Sequence, residues 1–98
     1  MIRHIFIGTF KDDVSDAIKN KVLANLWAMR EKIPGIVDLH ANFSTGWVGS
    51  GNSVVMTVDF ATKADFDVYM THPYHTNHVA KLGEAYVASY VAAQFDID

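Results

Sequence analysis

The sequence contains no cysteine, only two prolines and no long uninterrupted apolar run. The lack of cysteine excludes disulfides and thiol chemistry and favours a reducing compartment. No segment approaches the ~20 apolar residues that a membrane-spanning helix needs. The first ten residues, MIRHIFIGTF, lack the longer apolar segment and the cleavage site of a signal peptide. We therefore expect a soluble cytoplasmic protein with no membrane partner.

Basic residues are few: eight Lys and Arg are scattered over 98 residues, and the net charge is −3. A nucleic-acid-binding domain normally carries a basic stripe, so no nucleic-acid partner is expected. Apolar residues, in contrast, make up 50% of the chain and aromatic residues 12%. This is a large apolar content for a single small domain, which predicts strands covered on both faces and apolar surface that meets a partner chain.

In some segments apolar residues occupy every second position, as in strands. In others they recur every three or four residues, as in helices. The pattern predicts four strands and three helices: strands at 2–10, 36–44, 53–60 and 90–97, and helices at about 13–32, 62–71 and 73–88. The glycine-rich stretch TGWVGSGN predicts a hairpin loop between the second and third strands.

Helix boundaries are predicted from capping residues. Asp12 or Asp13 is expected to cap the first helix, and Pro34 is expected to end it, because the residue before proline avoids the helical region. Thr62 followed by Asp65 has the spacing of a capping box at the start of the second helix.

This order of elements predicts an α+β fold over residues 1–98, a ferredoxin-like antiparallel sheet with helices on one face. The helices can cover only one face of such a sheet, whereas the alternation leaves apolar residues on the other. Two sheets placed face to face would bury that surface, so we expect a homodimer that forms an α+β barrel.

The stretch YMTHPYHTNH, residues 69–78, holds three of the five histidines. Histidines three residues apart can share a helical face and bind zinc. Pro73 disrupts this geometry for His72, so only His75 and His78 can share a turn, and a third ligand would have to come from elsewhere. No metal ligand is therefore predicted, although metal binding by these histidines stays open. Pro73 is expected to begin a helix, with His72 at the junction.

Four segments carry a family resemblance: RHIFIGTFK, KIPGIVD, VVMTVDFATKADFDVYMTHPYH and QFDID. In these the sequence resembles the Dabb family, the stress-responsive A/B barrel domain, over essentially the whole chain. The resemblance implies a homodimeric barrel with a small-molecule cavity, and no cofactor is expected. Many relatives have no assigned activity.

Some relatives are polyketide cyclases, and the resemblance implies site residues from these. In them a histidine of the HPxH motif acts as base, a tyrosine six residues earlier orients the substrate, and a histidine of the first strand lies beside the pocket. The matching residues are His75, Tyr69 and His4. The chain departs from the family pattern at Thr76-Asn77-His78 and at Gly8-Thr9, and both changes bear on pocket shape.

The residues themselves leave two interpretations open. A free imidazole has a pKa of about 6.5, which would suit His75 as a general base, and Tyr69 could donate to a developing oxyanion. Both side chains could instead fasten the helix junction to the sheet, and His4 could be a hydrogen-bonded core histidine. The predicted function is a homodimeric barrel with a small-molecule cavity and no assigned specific activity, for which a small apolar or carbonyl compound is the candidate ligand. The alternatives are a cofactor-free lyase or polyketide cyclase with His75 and Tyr69 as an acid/base pair, and a cofactor-independent monooxygenase.

Overall fold

A four-stranded antiparallel sheet forms the centre of the fold in the computed structural model, which describes residues 1–97. The elements along the chain are β1 (Ile2–Phe10), α1 (Asp16–Lys32), β2 (Ile36–Phe43), β3 (Ser53–Phe60), α2 (Lys63–Thr71), a π-helix (Tyr74–Val79), α3 (Ala80–Tyr86) and β4 (Val87–Asp96). The strand order is β2-β3-β1-β4, so β2 and β4 are the edge strands. The predicted α+β, ferredoxin-like architecture is confirmed.

The first helix starts later than predicted. Ser15 is its N-cap, and the Ser15 hydroxyl accepts a hydrogen bond from the Ile18 amide at 3.2 Å. The expectation that Asp12 or Asp13 caps α1 was therefore wrong. Asp13 instead lies in the preceding turn with φ of 66°, a conformation that aspartate tolerates better than most residues.

The second helix begins at the predicted cap, Thr62, and Asp65 contacts the Thr62 hydroxyl in place of the backbone amide that a full capping box uses. The Thr62 hydroxyl accepts from the Asp65 amide at 3.2 Å and donates to the Asp65 carboxylate at 3.0 Å. These two bonds satisfy one orphan amide at the helix start and lock the Asp65 side chain in place.

The segment predicted as one helix at 73–88 divides into the π-helix and α3, and β4 begins three residues earlier than the predicted strand at 90–97. The difference arises from pairing with β1, because Phe10 pairs with Val87 and the Lys11 amide donates to the Tyr86 carbonyl at 2.9 Å. Local periodicity does not report this long-range pairing.

The hydrophobic core lies between the sheet and the helices. Its buried apolar residues are Phe10, Val22, Leu26, Met29, Ile33, Leu39, Ala41, Val54, Met56, Val58, Phe60 and Tyr69. The alternation along β2 is interrupted, because Val37, two residues before the buried Leu39, is 49% exposed. A shift of register between Ile36 and Asp38 explains this: Ile36, which pairs with Phe60, packs on the core instead.

The other face of the sheet, here called the open face, has no helix over it among residues 1–97. Its β1–β4 side is apolar, with Ile7 38%, Val91 67% and Phe95 47% exposed. The Arg3 guanidinium binds the Asp59 carboxylate through two bonds of 2.8 and 3.0 Å on the adjoining strands. Within residues 1–97 no helix is long and apolar enough to cross a membrane.

Candidate functional site

A cavity of about 420 Å³ lies between β1 and β4 on one side and the π-helix and α3 on the other. Its walls are mostly apolar, and the polar side chains among the lining residues include His4, His75 and Glu84. The volume falls within the range of about 300–1,000 Å³ that small-molecule sites occupy. Exposed residues such as Ser89 and Tyr90 also line the cavity, so it reaches the protein surface.

Residues of β1 and β4 shape one wall of this cavity. The Phe6 ring bends over Gly8, where a Cβ would lie only 2.9 Å from the ring. It stacks on Tyr90 with ring centroids 5.6 Å apart. Phe6 therefore occupies the space that a side chain at position 8 would fill. A larger residue at position 8 would push the Phe6 ring into the cavity.

His4 combines the two roles that the sequence left open. It lines the cavity, yet it is only 5% exposed and its Nδ1 lies 3.0 Å from the Gln94 amide nitrogen. Burial lowers the pKa of His4, and the nearby His75 lowers this pKa further. The ring is therefore neutral at neutral pH, hydrogen-bonded on one side and available to the cavity.

His75 extends from the π-helix into the same cavity. Its Nδ1 lies 3.3 Å from the Met70 carbonyl oxygen. A carbonyl can only accept, so Nδ1 carries the proton and Nε2 keeps its lone pair. Burial lowers the pKa of His75 and the bond to Met70 partly opposes this, so a neutral imidazole with a basic Nε2 is present at neutral pH.

Tyr69 lies behind the two histidines rather than in the cavity wall. Its ring centroid is 5.7 Å from that of His4 and 4.6 Å from that of His75. The side chain is 1% exposed, and burial raises the pKa of its hydroxyl. The structure thus brings all three predicted site residues together, with Tyr69 as a protonated aromatic neighbour that holds both imidazoles in position.

The remaining histidines of the HPxH region have separate partners. His72 Nδ1 accepts from the Tyr74 amide at 3.1 Å at the end of α2, which is the predicted junction. His78 Nε2 donates to Asn25 Oδ1 at 2.6 Å and its ring stacks on Tyr74. Within the described residues no three His, Cys, Asp or Glu side chains are grouped to hold a metal ion.

Three residues that sequence reasoning missed help to build the site. Gln94 binds His4, Tyr90 stacks on Phe6, and Asn25 accepts from both Tyr74 and His78, which ties the π-helix to α1. In the sequence, only the alternating pattern of the last strand pointed to Gln94 and Tyr90. That pattern does not show which strand they pair with. Asn25 could have been noticed as a polar residue beside the apolar stripe of α1.

Solved structures share this fold over nearly the whole chain. A dimeric ferredoxin-like protein of unknown function from Thermobifida fusca is 23% identical with a TM-score of 0.86, and the match covers 98% of this chain and 90% of that one. Hydroxynitrile lyase from Passiflora edulis is 18% identical with a TM-score of 0.85, covering 99% and 93%. An antibiotic biosynthesis monooxygenase is 12% identical with a TM-score of 0.79, covering 100% and 99%. At these identities the likeness shows a common fold and no common activity.

The sequence comparison is more specific about the family. No curated protein matches the chain at a significant level. Residues 2–97, however, match the Stress responsive A/B Barrel Domain, Dabb. This match covers every secondary-structure element and includes the histidines of the cavity. The chain therefore belongs to the Dabb family of stress-responsive A/B barrel domains.

Proposed function

We propose that this protein is a homodimeric barrel that binds a small, largely apolar carbonyl compound in the cavity beneath the π-helix and moves a proton on it without a cofactor. The observation that carries the proposal is the placement of His4 and His75 in one apolar cavity, where the bond from His75 Nδ1 to Met70 leaves the lone pair on Nε2, which has no hydrogen-bond partner among residues 1–97. General bases are commonly neutral imidazoles held in this way.

His75 is the proposed general base. Its Nε2 takes a proton from a hydroxyl group or from the carbon next to a carbonyl, and the Met70 carbonyl steadies the resulting imidazolium through Nδ1–H. The same nitrogen then returns the proton to the product. Tyr69 remains protonated because burial raises its pKa, and its proposed part is to orient His75, whose ring centroid lies 4.6 Å from its own.

Lyase chemistry is favoured over oxygenation by the proton-transfer geometry. A related fold acts as a hydroxynitrile lyase in Passiflora edulis, and a base that deprotonates a hydroxyl group is what cleavage of a hydroxynitrile to an aldehyde and hydrogen cyanide requires. The monooxygenase alternative is supported by the shared fold alone.

The test uses two probes, phenylacetone and mandelonitrile. Ligand-observed NMR measures binding, deuterium uptake from D2O next to the carbonyl of phenylacetone measures proton transfer, and benzaldehyde absorbance measures mandelonitrile cleavage. His75→Gln should lower the rate on any active probe by about 100-fold or more, with an unchanged melting temperature. The matched control is His40→Gln, which makes the same change at a histidine paired with Asp38 outside the cavity.

Several results would contradict this proposal. If neither probe binds, the cavity is not a carbonyl-binding site. If His75→Gln and His40→Gln act on a probe at equal rates, His75 is not the base. Loss of folding in His75→Gln alone would show that the residue fastens the helix junction to the sheet.

The homodimer is proposed from the open face. Antiparallel sheets with one solvated face usually alternate polar residues outward, whereas here Ile7, Val91 and Phe95 are exposed together on β1 and β4. A patch of this kind marks an interaction surface, and the structurally similar Thermobifida fusca protein is dimeric. A second copy of the chain offers the same apolar strip and can close the barrel.

Light scattering after gel filtration tests the dimer. We expect twice the chain mass of 10.9 kDa, and Phe95→Asp should weaken association by about 30-fold or more, because a carboxylate would have to lose its water within the apolar strip. The matched control is Val68→Asp, since Val68 on α2 is 46% exposed and Phe95 is 47% exposed. A monomeric wild-type protein at micromolar concentration would overturn the proposal.

A further inference from the structure

We infer that Gln94 is a positioning residue that holds His4 in the Nε2–H tautomer, so that the two cavity histidines present one hydrogen-bond donor and one acceptor to the same ligand. This assigns a role to a residue of β4 that neither the sequence patterns nor the family match singles out. The part of His4 as a donor in proton transfer rests on the proposed function. The assignment of the His4 tautomer does not.

The hydrogen-bond partner of His4 determines which of its ring nitrogens carries the proton. Gln94 and His4 are directly paired across β4 and β1, so their side chains lie side by side on one face of the sheet. The Gln94 amide nitrogen lies 3.0 Å from His4 Nδ1. An amide NH2 group can only donate, so Nδ1 must accept and the ring proton resides on Nε2.

His75 has the opposite polarity. The Met70 carbonyl takes the Nδ1 proton of His75 and leaves Nε2 as an acceptor. The rings of His4 and His75 both adjoin Tyr69, with centroids 5.7 and 4.6 Å from its ring. Two chemically identical side chains are thus made different by their outer hydrogen bonds, a device that also fixes histidine tautomers at metal sites and in catalytic triads.

The donor–acceptor pair narrows the class of substrate. A carbonyl oxygen can accept from His4 Nε2–H while a neighbouring C–H or O–H group gives its proton to His75 Nε2, so an enolisable or hydroxylated carbonyl compound fits both groups. The charge on the oxygen then develops against a fixed donor. Glu84, a further lining residue, disfavours an anionic substrate through like-charge repulsion. A neutral molecule is therefore the expected ligand.

The test is a long-range proton–nitrogen NMR spectrum of the histidine rings in the ligand-free protein. We expect the proton of His4 on Nε2 and that of His75 on Nδ1. In Gln94→Met, which keeps the size of the side chain, the two His4 tautomers should mix. In Gln94→Glu the introduced carboxylate can only accept, so the proton should move to Nδ1 of His4. His75 should keep its tautomer in both variants and serves as the internal control.

A wild-type spectrum with the His4 proton on Nδ1 would overturn the inference, and so would an unchanged Nε2–H signal in both variants. The wild-type spectrum requires no variant to fold, so the test stands even if a substitution destabilises β4. Where phenylacetone exchanges its protons, Gln94→Glu, which moves the His4 proton to Nδ1, should also slow that exchange by about 100-fold, the effect of losing one oxyanion donor.

The two proposals can fail separately. No binding or exchange with either probe would overturn the proposed function and leave the His4 tautomer intact in the spectrum. A wrong tautomer with normal His75-dependent exchange would overturn the role of Gln94 and leave the proposed function standing.

Discussion

The two halves of the sheet differ sharply in how they are covered. In the β2–β3 half, buried residues face α1; these include Leu39 and Ala41 on β2 and Val54, Met56 and Val58 on β3, each at most 6% exposed. In the β1–β4 half, no residue of β4 is buried. The cavity and both of its histidines lie in this second half.

Under the proposed function, the two halves of the sheet serve different purposes. Close packing in the β2–β3 half contributes apolar burial that stabilises the fold. Incomplete cover of the β1–β4 half leaves a cavity on one face and an exposed apolar strip on the other. Functional sites are commonly found in such less densely packed parts of a protein.

The largest effect on stability is expected when a leucine is replaced by alanine in each half. Leu39→Ala removes a side chain that is 0% exposed and should lower the free energy of unfolding by about 2–5 kcal/mol. Leu82→Ala, on α3 at the partly buried rim of the core, should cost about 1–2 kcal/mol because less burial is lost. Urea denaturation measures both, and equal losses would show that the two halves are packed alike.

Asn25 ties the π-helix over the cavity to α1, and replacing it should have an intermediate effect on stability. Asn25→Leu deletes the acceptor of Tyr74 and His78 and should cost about 1–2 kcal/mol for two hydrogen bonds. Amide hydrogen exchange in the π-helix should accelerate. Asn20→Leu, the same change at an exposed position of α1, is the control, and similar exchange rates in both variants would mean that Asn25 does not hold the π-helix.

A pH titration tests the cavity half by itself. Burial lowers the pKa of His4 and His75 from 6.5 in the folded state, so below that value the unfolded chain binds more protons. Stability should therefore fall as the pH drops through about 6.5 toward the lowered pKa values, and these two groups should contribute no pH dependence well above it. Urea denaturation across this range should show a shallower slope for His4→Gln; an unaltered slope would mean that His4 is not buried in its neutral form.

The smallest effect is expected at the loop between β2 and β3. Trp47 is 88% exposed, so Trp47→Ser should change the free energy of unfolding by no more than about 0.5 kcal/mol. A larger loss in urea denaturation would show that this loop packs on a surface outside the single chain.

Sequence patterns predicted much of this architecture. Alternation placed β1 and β3 at their observed bounds, and the capping-box spacing of Thr62 and Asp65 marked the start of α2. Such signals are local, since they depend on residues close together in the chain. The late start of α1, the π-helix and the early start of β4 were missed, and the last of these depends on pairing with a strand almost eighty residues away.

The candidate site was predicted in part. His4, Tyr69 and His75 could be named through the family resemblance, and the structure places the ring centroids of His4 and His75 5.7 and 4.6 Å from that of Tyr69. Their hydrogen-bond partners, Gln94 and the Met70 carbonyl, could not be named. A tautomer depends on which group lies opposite each ring nitrogen, and residue order does not specify this.

By itself the sequence determined the order of the elements, the apolar stripe of α1 and the surplus of apolar side chains that the helices cannot cover, because each of these depends on local periodicity and composition. Only the tertiary structure decided where the cavity lies, which histidines share it and which protein group lies beside Nδ1 of each ring. These properties arise from pairings between β1 and β4 and from contacts between helices and sheet, where the interacting residues are far apart in the chain.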